Sequence, residues 1–360
     1  MLNYISINNK SRNSGIDLLR VILSFNVIII HLLFYGGPQT HMDPSNPAFY
    51  ILWLLGLAII CTVNCFALIS GYLAYGSNVK YSNIIRLYLI VLYYSIAITL
   101  FIAIFFPEET YSDSWSRAFF PISTNTFWYF TAYFGLFAFS PLLVYGMKII
   151  QKPYADALLI FIFLAFSVLP TVSAIDPFLI NKGYSMLWIT AMFITGMYLK
   201  KYDIAKKIKK TNLVSLYVGS IAITCVGMFL SLGNPNFAGA RLMEYNSPTT
   251  VIAAISVVLL FSSIQCRPVI QKIAAYCSPI VFSVYLIHEH PFIRNLFIYD
   301  CLLPILDRSP ILQLIAVFGS AVLIWLTCFC LDHIRQTVFK FCGIEKLIGR
   351  ISDRVHSLAS

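Results

Sequence analysis

Charge is what this sequence has least of. Only 11% of its 360 residues are Asp, Glu, Lys or Arg, against 59% hydrophobic, and the mean hydropathy is +0.79. That balance excludes an ordinary soluble domain and indicates a polytopic membrane protein. The chain also lacks Gly-x-Gly-x-x-Gly, a Walker loop, Gly-x-Ser-x-Gly and His-Glu-x-x-His, which argues against nucleotide hydrolysis, serine hydrolysis and zinc proteolysis. Nine cysteines are present but no Cys-x-x-Cys. Cys61/Cys65 and Cys328/Cys330 therefore read as small apolar packing residues, with no disulfide framework and no metal site expected.

Acidic residues are the scarcer sign, 15 against 25 basic, for a net charge of +10. The placement of the bases points to a bilayer and not to nucleic acid. Apolar runs of helical length lie near 16–35, 49–74, 84–106, 127–147, 156–172, 184–199, 213–232, 249–265, 278–297 and 310–331. With the N-terminus inside, eighteen bases fall on inner segments, among them Lys10, Arg12, Lys80, Lys148, the six lysines of 200–210, Arg335 and Arg354. Only Arg117, Lys182, Arg241 and Arg308 fall on outer loops. The positive-inside rule thus favours an all-α bundle of about ten transmembrane helices with both termini cytoplasmic. The first run reads as a retained signal-anchor. The expected organisation is a cytoplasmic segment over 1–15, a transmembrane domain over 16–331 and a basic amphipathic tail over 332–360. In that tail Val338, Phe339, Phe341, Ile344, Leu347, Ile348 and Ile351 recur at helical spacing. The 200–210 lysines read as a topology determinant beside anionic lipid, or as an attractor for a polyanionic cytosolic donor.

Arg20 and His31 stand inside the first apolar run. Eleven residues on a helix bring two side chains within about 20° of one face and about 16 Å apart along the axis. Asp17 and Ser24 share that stripe, so a polar ribbon climbs an otherwise apolar helix. Ionisable groups within hydrocarbon are costly and mark function. A neutral imidazole at position 31 suits a general base, while Arg20 suits a phosphate nearer the inner end. The alternative is that Asp17 and Arg20 neutralise each other and His31 only hydrogen-bonds at the interface.

A second cluster, His288-Glu289-His290-Pro291 with Arg294, lies in the outer half of the ninth run. Glu289 suits orienting an imidazole or accepting sugar hydroxyls, with His288 beside it; a simple Glu289–Arg294 charge pair is the rival. His288 and His290 point to different sides of a helix, which is poor geometry for one metal. Asn83-Ile-Ile-Arg86 opens the third run, where Arg86 reads as a phosphate ligand or a snorkelling anchor. Trp128, in Phe127-Trp128-Tyr129-Phe130, reads as an interface aromatic or a sugar-stacking platform.

Taken together these residues resemble the integral-membrane acyltransferase family three, the bacterial O-acetyltransferases of cell-surface polysaccharides. The resemblance is carried by Gly15-Ile-Asp17-Leu-Leu-Arg20 with His31, Ile69-Ser70-Gly71-Tyr72-Leu73, Trp128-Tyr129-Phe130 with Ser140-Pro141, and Tyr285-Leu-Ile-His288. Gly183-Tyr-Ser-Met-Leu-Trp188 and Tyr245-Asn246-Ser247-Pro248 resemble the branch acting on capsular or exopolysaccharide. The resemblance implies a ten-helix core in the bacterial cytoplasmic membrane, acetyl-CoA as cytosolic acyl donor, and a cell-surface polysaccharide or lipid-linked glycan as acceptor. It implies His31 and Arg20 as the catalytic pair, and Arg86 as the second arginine of a donor motif whose first position is here Asn83. Glu289, His288, Trp128 and Arg294 are then placed at the acceptor. No appended hydrolase-like domain is expected, so transfer finishes within the bundle or uses a partner. A covalent acetyl-histidine is a variant. Competing readings are a transporter or flippase for a lipid-linked glycan or small solute, and a polysaccharide polymerase.

Overall fold

The computed structural model describes residues 12–77, 81–233 and 238–350. Lys10, Lys80, Ile351 and Arg354 lie outside the described residues. Within them every regular element is helical. The helices of eight residues or more are α1 (Ser14–Phe34), α2 (Pro47–Ile59), α3 (Thr62–Ala74), α4 (Tyr81–Phe105), α5 (Ser112–Phe119), α6 (Trp128–Ile149), α7 (Lys152–Phe161), α8 (Met186–Lys201), α9 (Lys210–Gly233), α10 (Pro248–Ser262), α11 (Pro268–Cys277), α12 (Val281–His288) and α13 (Pro310–Phe341).

Eight helical stretches among the described residues are long and apolar enough to cross a membrane, and α11 with α12 makes a ninth if this pair, bent by 46°, is one span. The molecule is a multi-pass membrane protein. Its surface is apolar, with Leu142, Ile311 and Leu323 each more than two-thirds exposed, while Arg20, His288, Glu289, Asp332 and Arg335 are buried. That inversion of the soluble pattern is what hydrocarbon solvent demands.

Three runs differ from the sequence expectation. The run at 184–199 is α8, of only 16 residues, about 24 Å at 1.5 Å per residue and short of the hydrocarbon thickness. It lies in the core beside α6, from Tyr184, 4.6 Å from Trp128, to Lys201, which donates to the Met147 and Ile150 carbonyls, and small residues let it approach α3 closely. A Cβ on Gly71 would lie 1.8 Å from the Phe193 carbonyl oxygen, and one on Gly196 would lie 2.0 Å from that of Leu68. The run expected at 278–297 is shifted: the bent pair spans 268–288 and α12 stops at His288. The last helix passes the expected boundary at 332 and runs to Phe341. Asp332 holds it in the bundle, receiving hydrogen bonds from Tyr94 Oη at 2.7 Å and Arg335 Nε at 3.0 Å.

The first helix is the hub, packed against α3, α10, α11, α12 and α13. Its start is anchored by side chains. The Asn13 side chain accepts from the Ile16 N–H at 3.0 Å and donates to the Ser262 carbonyl at 2.8 Å. Arg12 pairs with Asp17 and donates to the Ala275 carbonyl at 3.0 Å and to Ser278 Oγ at 2.9 Å, at the bend between α11 and α12. Such caps satisfy the orphan amides of a helix start and here fix α1 against the element that carries the second cluster.

Candidate active site

Pro291 decides the local geometry of His288, Glu289 and His290. Proline removes an N–H and disfavours a helical conformation in the residue before it. The helix therefore ends at His288, with Glu289 as its cap and His290 extended at φ −55°, ψ 130°. The three side chains part company. His288 Nδ1 turns back to the Val284 carbonyl oxygen at 2.5 Å, Glu289 reaches toward α1, and the His290 ring packs 5.9 Å from that of Phe127.

His31, in the last turn of α1, meets this cluster. Its Nδ1 lies 3.0 Å from His288 Nε2, in hydrogen-bonding contact, and 3.0 Å from Glu289 Oε2. The carboxylate oxygen makes no hydrogen bond there. The other Glu289 oxygen accepts from Arg294 Nη1 at 2.8 Å, and the Arg294 guanidinium covers the Tyr35 ring at 5.2 Å. The Glu289–Arg294 pair, the rival to a functional reading of this cluster, is thus present and is continuous with His31.

His31 and Glu289 are on the wall of a cavity of about 880 Å³, in the size range of small-molecule sites. Trp128 lines it with Tyr184 and Tyr245, the Trp128 ring lying 4.6 Å from Tyr184 and 6.4 Å from Tyr245 with a 14° interplanar angle. The mouth carries Asp176, Lys182, Arg241 and Glu244; Lys182 Nζ is 3.5 Å from Glu244 Oε1, and Arg241 Nη1 donates to the Thr171 carbonyl at 3.2 Å. Tyr129 Oη, Asn246 Oδ1 and Glu289 Oε2 are buried without a hydrogen-bond partner, and all three residues line this cavity. Buried polar atoms are ordinarily satisfied, so the cavity presents acceptors and a hydroxyl to a polar guest.

Tyr184 and Tyr245 of the wall belong to the segments 183–188 and 245–248. Asn64 ties them together: its amide donates to the Tyr245 carbonyl at 2.6 Å and accepts from Trp188 Nε1 at 2.9 Å. Gly183, at φ +96°, sits where a Cβ would fall 2.5 Å from Tyr245 Cβ. The sequence marks these segments by resemblance, but not that Tyr184, Tyr245 and Asn246 share a cavity wall with His31, since that meeting crosses many tens of residues.

The other expected site residues stand apart. His288 and Arg294 are behind His31 and Glu289 and do not line the cavity. Arg20 is buried on α1, within electrostatic reach of Tyr133, and also lies off the cavity wall. Arg86 donates through Nη2 to Glu345 Oε2 at 2.6 Å. Lys201 donates to the Met147 and Ile150 carbonyls at the end of α6, so this lysine is a helix C-cap. Among the described residues no group of three or more His, Cys, Asp or Glu is arranged to hold a metal.

A family model described as an acyltransferase domain, that of acyltransferase family 3, matches residues 13–330. The chain belongs to this family. No curated protein and no solved structure matches. This membrane acyltransferase therefore carries a His–His–Glu–Arg chain within its family domain, with His288 and Glu289 buried and His31 and Glu289 at the wall of its large cavity.

Proposed function

We propose that this acyltransferase moves an acetyl group from acetyl-CoA to a hydroxyl of a cell-surface or lipid-linked glycan, with His31 as general base. The observation that carries this reading is the contact of His31 with Glu289 at the wall of an aromatic, polar cavity. An imidazole in that position takes the hydroxyl proton as the oxygen attacks the thioester carbonyl. The C–S bond then breaks, and the imidazolium returns the proton to the departing thiolate. The Glu289 carboxylate stabilises the transient positive charge, and Arg294 holds that carboxylate in place, the logic of a base oriented by an anion.

The glycan acceptor is supported by Trp128, Tyr184 and Tyr245. Aromatic faces suit the apolar faces of sugar rings, and the unpaired Asn246 Oδ1 and Tyr129 Oη suit ring hydroxyls. For the donor, acetyl-CoA supplies an activated acyl group. Arg20 and Arg86 are the residues of this chain suited to its phosphates, with no metal required. The cell membrane of a bacterium, with the lysine-rich end inward, is the setting this assignment needs.

Membrane vesicles given acetyl-labelled CoA and acceptor glycan test the proposal. Label passes to the glycan with the wild-type protein and not with His31→Ala at equal membrane abundance. Unmodified glycan crossing the vesicle without label overturns the transferase reading in favour of a transporter, and a change in chain length without label favours a polymerase.

A further inference from the structure

His288 is 1% exposed and does not line the cavity, so contact with the acceptor does not account for it. We propose that His288 is a positioning residue that fixes the tautomer of His31. It holds the proton of that ring on Nδ1 and leaves the Nε2 lone pair to receive the acceptor proton. The inference rests on His31 being the base.

The assignment follows from which atoms can only accept. The Val284 carbonyl oxygen, 2.5 Å from His288 Nδ1, has no proton to give. His288 Nδ1 therefore carries the hydrogen, and a neutral imidazole has only one. His288 Nε2 is then a lone pair. It faces His31 Nδ1 at 3.0 Å, so His31 Nδ1 is the donor. The second neighbour of that nitrogen, Glu289 Oε2 at 3.0 Å, is a carboxylate oxygen and agrees. A bare Nδ1 would confront two acceptors at contact distance in a closed site. A doubly protonated His288 would instead bury a second cation beside a carboxylate whose charge Arg294 already meets.

Glu289 alone does not fix the ring, because its oxygen makes no hydrogen bond to it. Without His288 the proton is free to move to Nε2, and that tautomer has no lone pair where the hydroxyl arrives. A triad histidine held in the wrong tautomer loses about 10⁴ in kcat. The expected loss for His288→Phe is about 100-fold in kcat, since Glu289 still favours the productive form in part. The KM values for donor and glycan stay within about threefold, because His288 touches neither.

Nitrogen-resolved NMR of the full-length protein, labelled with ¹⁵N-histidine and held in nanodiscs, reads the tautomer directly. The His31 signals are assigned by their loss in His31→Gln. The wild type is expected to show the proton on Nδ1, His288→Phe to gain the Nε2–H form, and His288→Gln to restore Nδ1–H together with part of kcat through its amide oxygen. A wild-type His31 carrying its proton on Nε2 overturns the proposal, and so does an unaltered His31 spectrum in His288→Phe. The wild-type spectrum decides even where His288→Phe does not fold. Full transfer by His31→Ala would remove the base assignment while leaving the tautomer result standing, so the two failures are told apart.

Discussion

Arg294 and Glu289 hold each other across five residues, Nη1 donating to Oε1 at 2.8 Å, while the opposite oxygen of the same carboxylate stays 3.0 Å from His31. The turn that makes this possible is irregular. Pro291 ends α12, and residues Arg294–Ile298 continue as a π-helical turn, a form common at functional sites. Arg294 thereby folds back over Tyr35 and Glu289 instead of pointing along a helix axis.

Removing Arg294 leaves the buried Glu289 carboxylate without its cation; breaking a fully buried pair costs about 3–5 kcal/mol, and the 28% exposure of Arg294 places this loss below that range. Arg294→Met is expected to lower both thermal stability in detergent and kcat. Adding Glu289→Gln should recover most of the stability and none of the activity, a coupling that a double-mutant cycle measures. Arg294→Lys, with the charge but not the planar fork, should fall between. Equal stability of Arg294→Met and wild type would show that the pair carries no structural load.

The polar ribbon of α1 is legible in the sequence because helical periodicity is local: Asp17, Arg20, Ser24 and His31 share one helix and need no tertiary knowledge. Their partners are not. Ser24 accepts from Trp325 Nε1 at 2.9 Å and His31 meets His288 and Glu289, contacts that span most of the chain and leave no spacing signature. Hydropathy likewise locates the apolar runs but does not show that α8 is a short helix set in the core of the bundle. What distinguishes it is the close approach of Gly71 and Gly196, a tertiary property. The last apolar run ends near 331 in the sequence, with a separate amphipathic tail expected beyond it, whereas one helix runs on to Phe341 and Asp332 and Arg335 neutralise each other inside the bundle, Arg335 Nη2 lying 2.9 Å from Asp332 Oδ1.

The close approach at Gly71 gives a sharp test. Gly71→Ala forces a methyl into the Phe193 carbonyl, a backbone atom that cannot rotate away. Small residues are how helices approach in lipid, and overpacking at such a site costs about 1–3 kcal/mol or more. Gly71→Ala is expected to lose thermal stability. Gly146→Ala, whose added methyl would meet nothing within 4 Å, is expected to keep or slightly gain it. Comparable melting of the two variants would contradict the packing described.

Asn64 has no role in chemistry and a large one in shape. Replacing it by Leu, of similar volume, leaves Trp188 Nε1 and the Tyr245 carbonyl without their buried partners, at about 1–3 kcal/mol for each orphaned group. Tyr245 belongs to the cavity wall, so Asn64→Leu should raise the acceptor KM as well as reduce stability. A stability loss with an unchanged KM would show that the wall does not depend on this link.

Trp128 offers the converse case, a side chain on the cavity wall, half-buried, stacked on Tyr245. On the sugar-platform reading Trp128→Ala should raise the acceptor KM about tenfold, equivalent to about 1.4 kcal/mol, with kcat nearly retained. Trp128→Phe should recover most of the affinity. A fall in kcat alone would move Trp128 from acceptor binding to the reaction itself.

Arg86 and Glu345 join the start of α4 to the segment beyond α13, through the 2.6 Å contact of Nη2 with Oε2. Glu345 lies past residue 330, the end of the matched family domain, so the carboxylate on this arginine comes from the chain's own extension. Glu345 is 47% exposed, and exposed pairs of this kind contribute about 0–1 kcal/mol; Glu345→Gln should therefore leave stability unchanged. A carboxylate and a phosphate compete for the same guanidinium fork. If Arg86 takes the donor phosphate, removing Glu345 should lower the KM for acetyl-CoA about twofold to fivefold and weaken its salt dependence little, while Arg86→Gln raises that KM in either background. A donor KM indifferent to both substitutions would leave Arg86 a membrane-interface anchor and shift the donor site to Arg20.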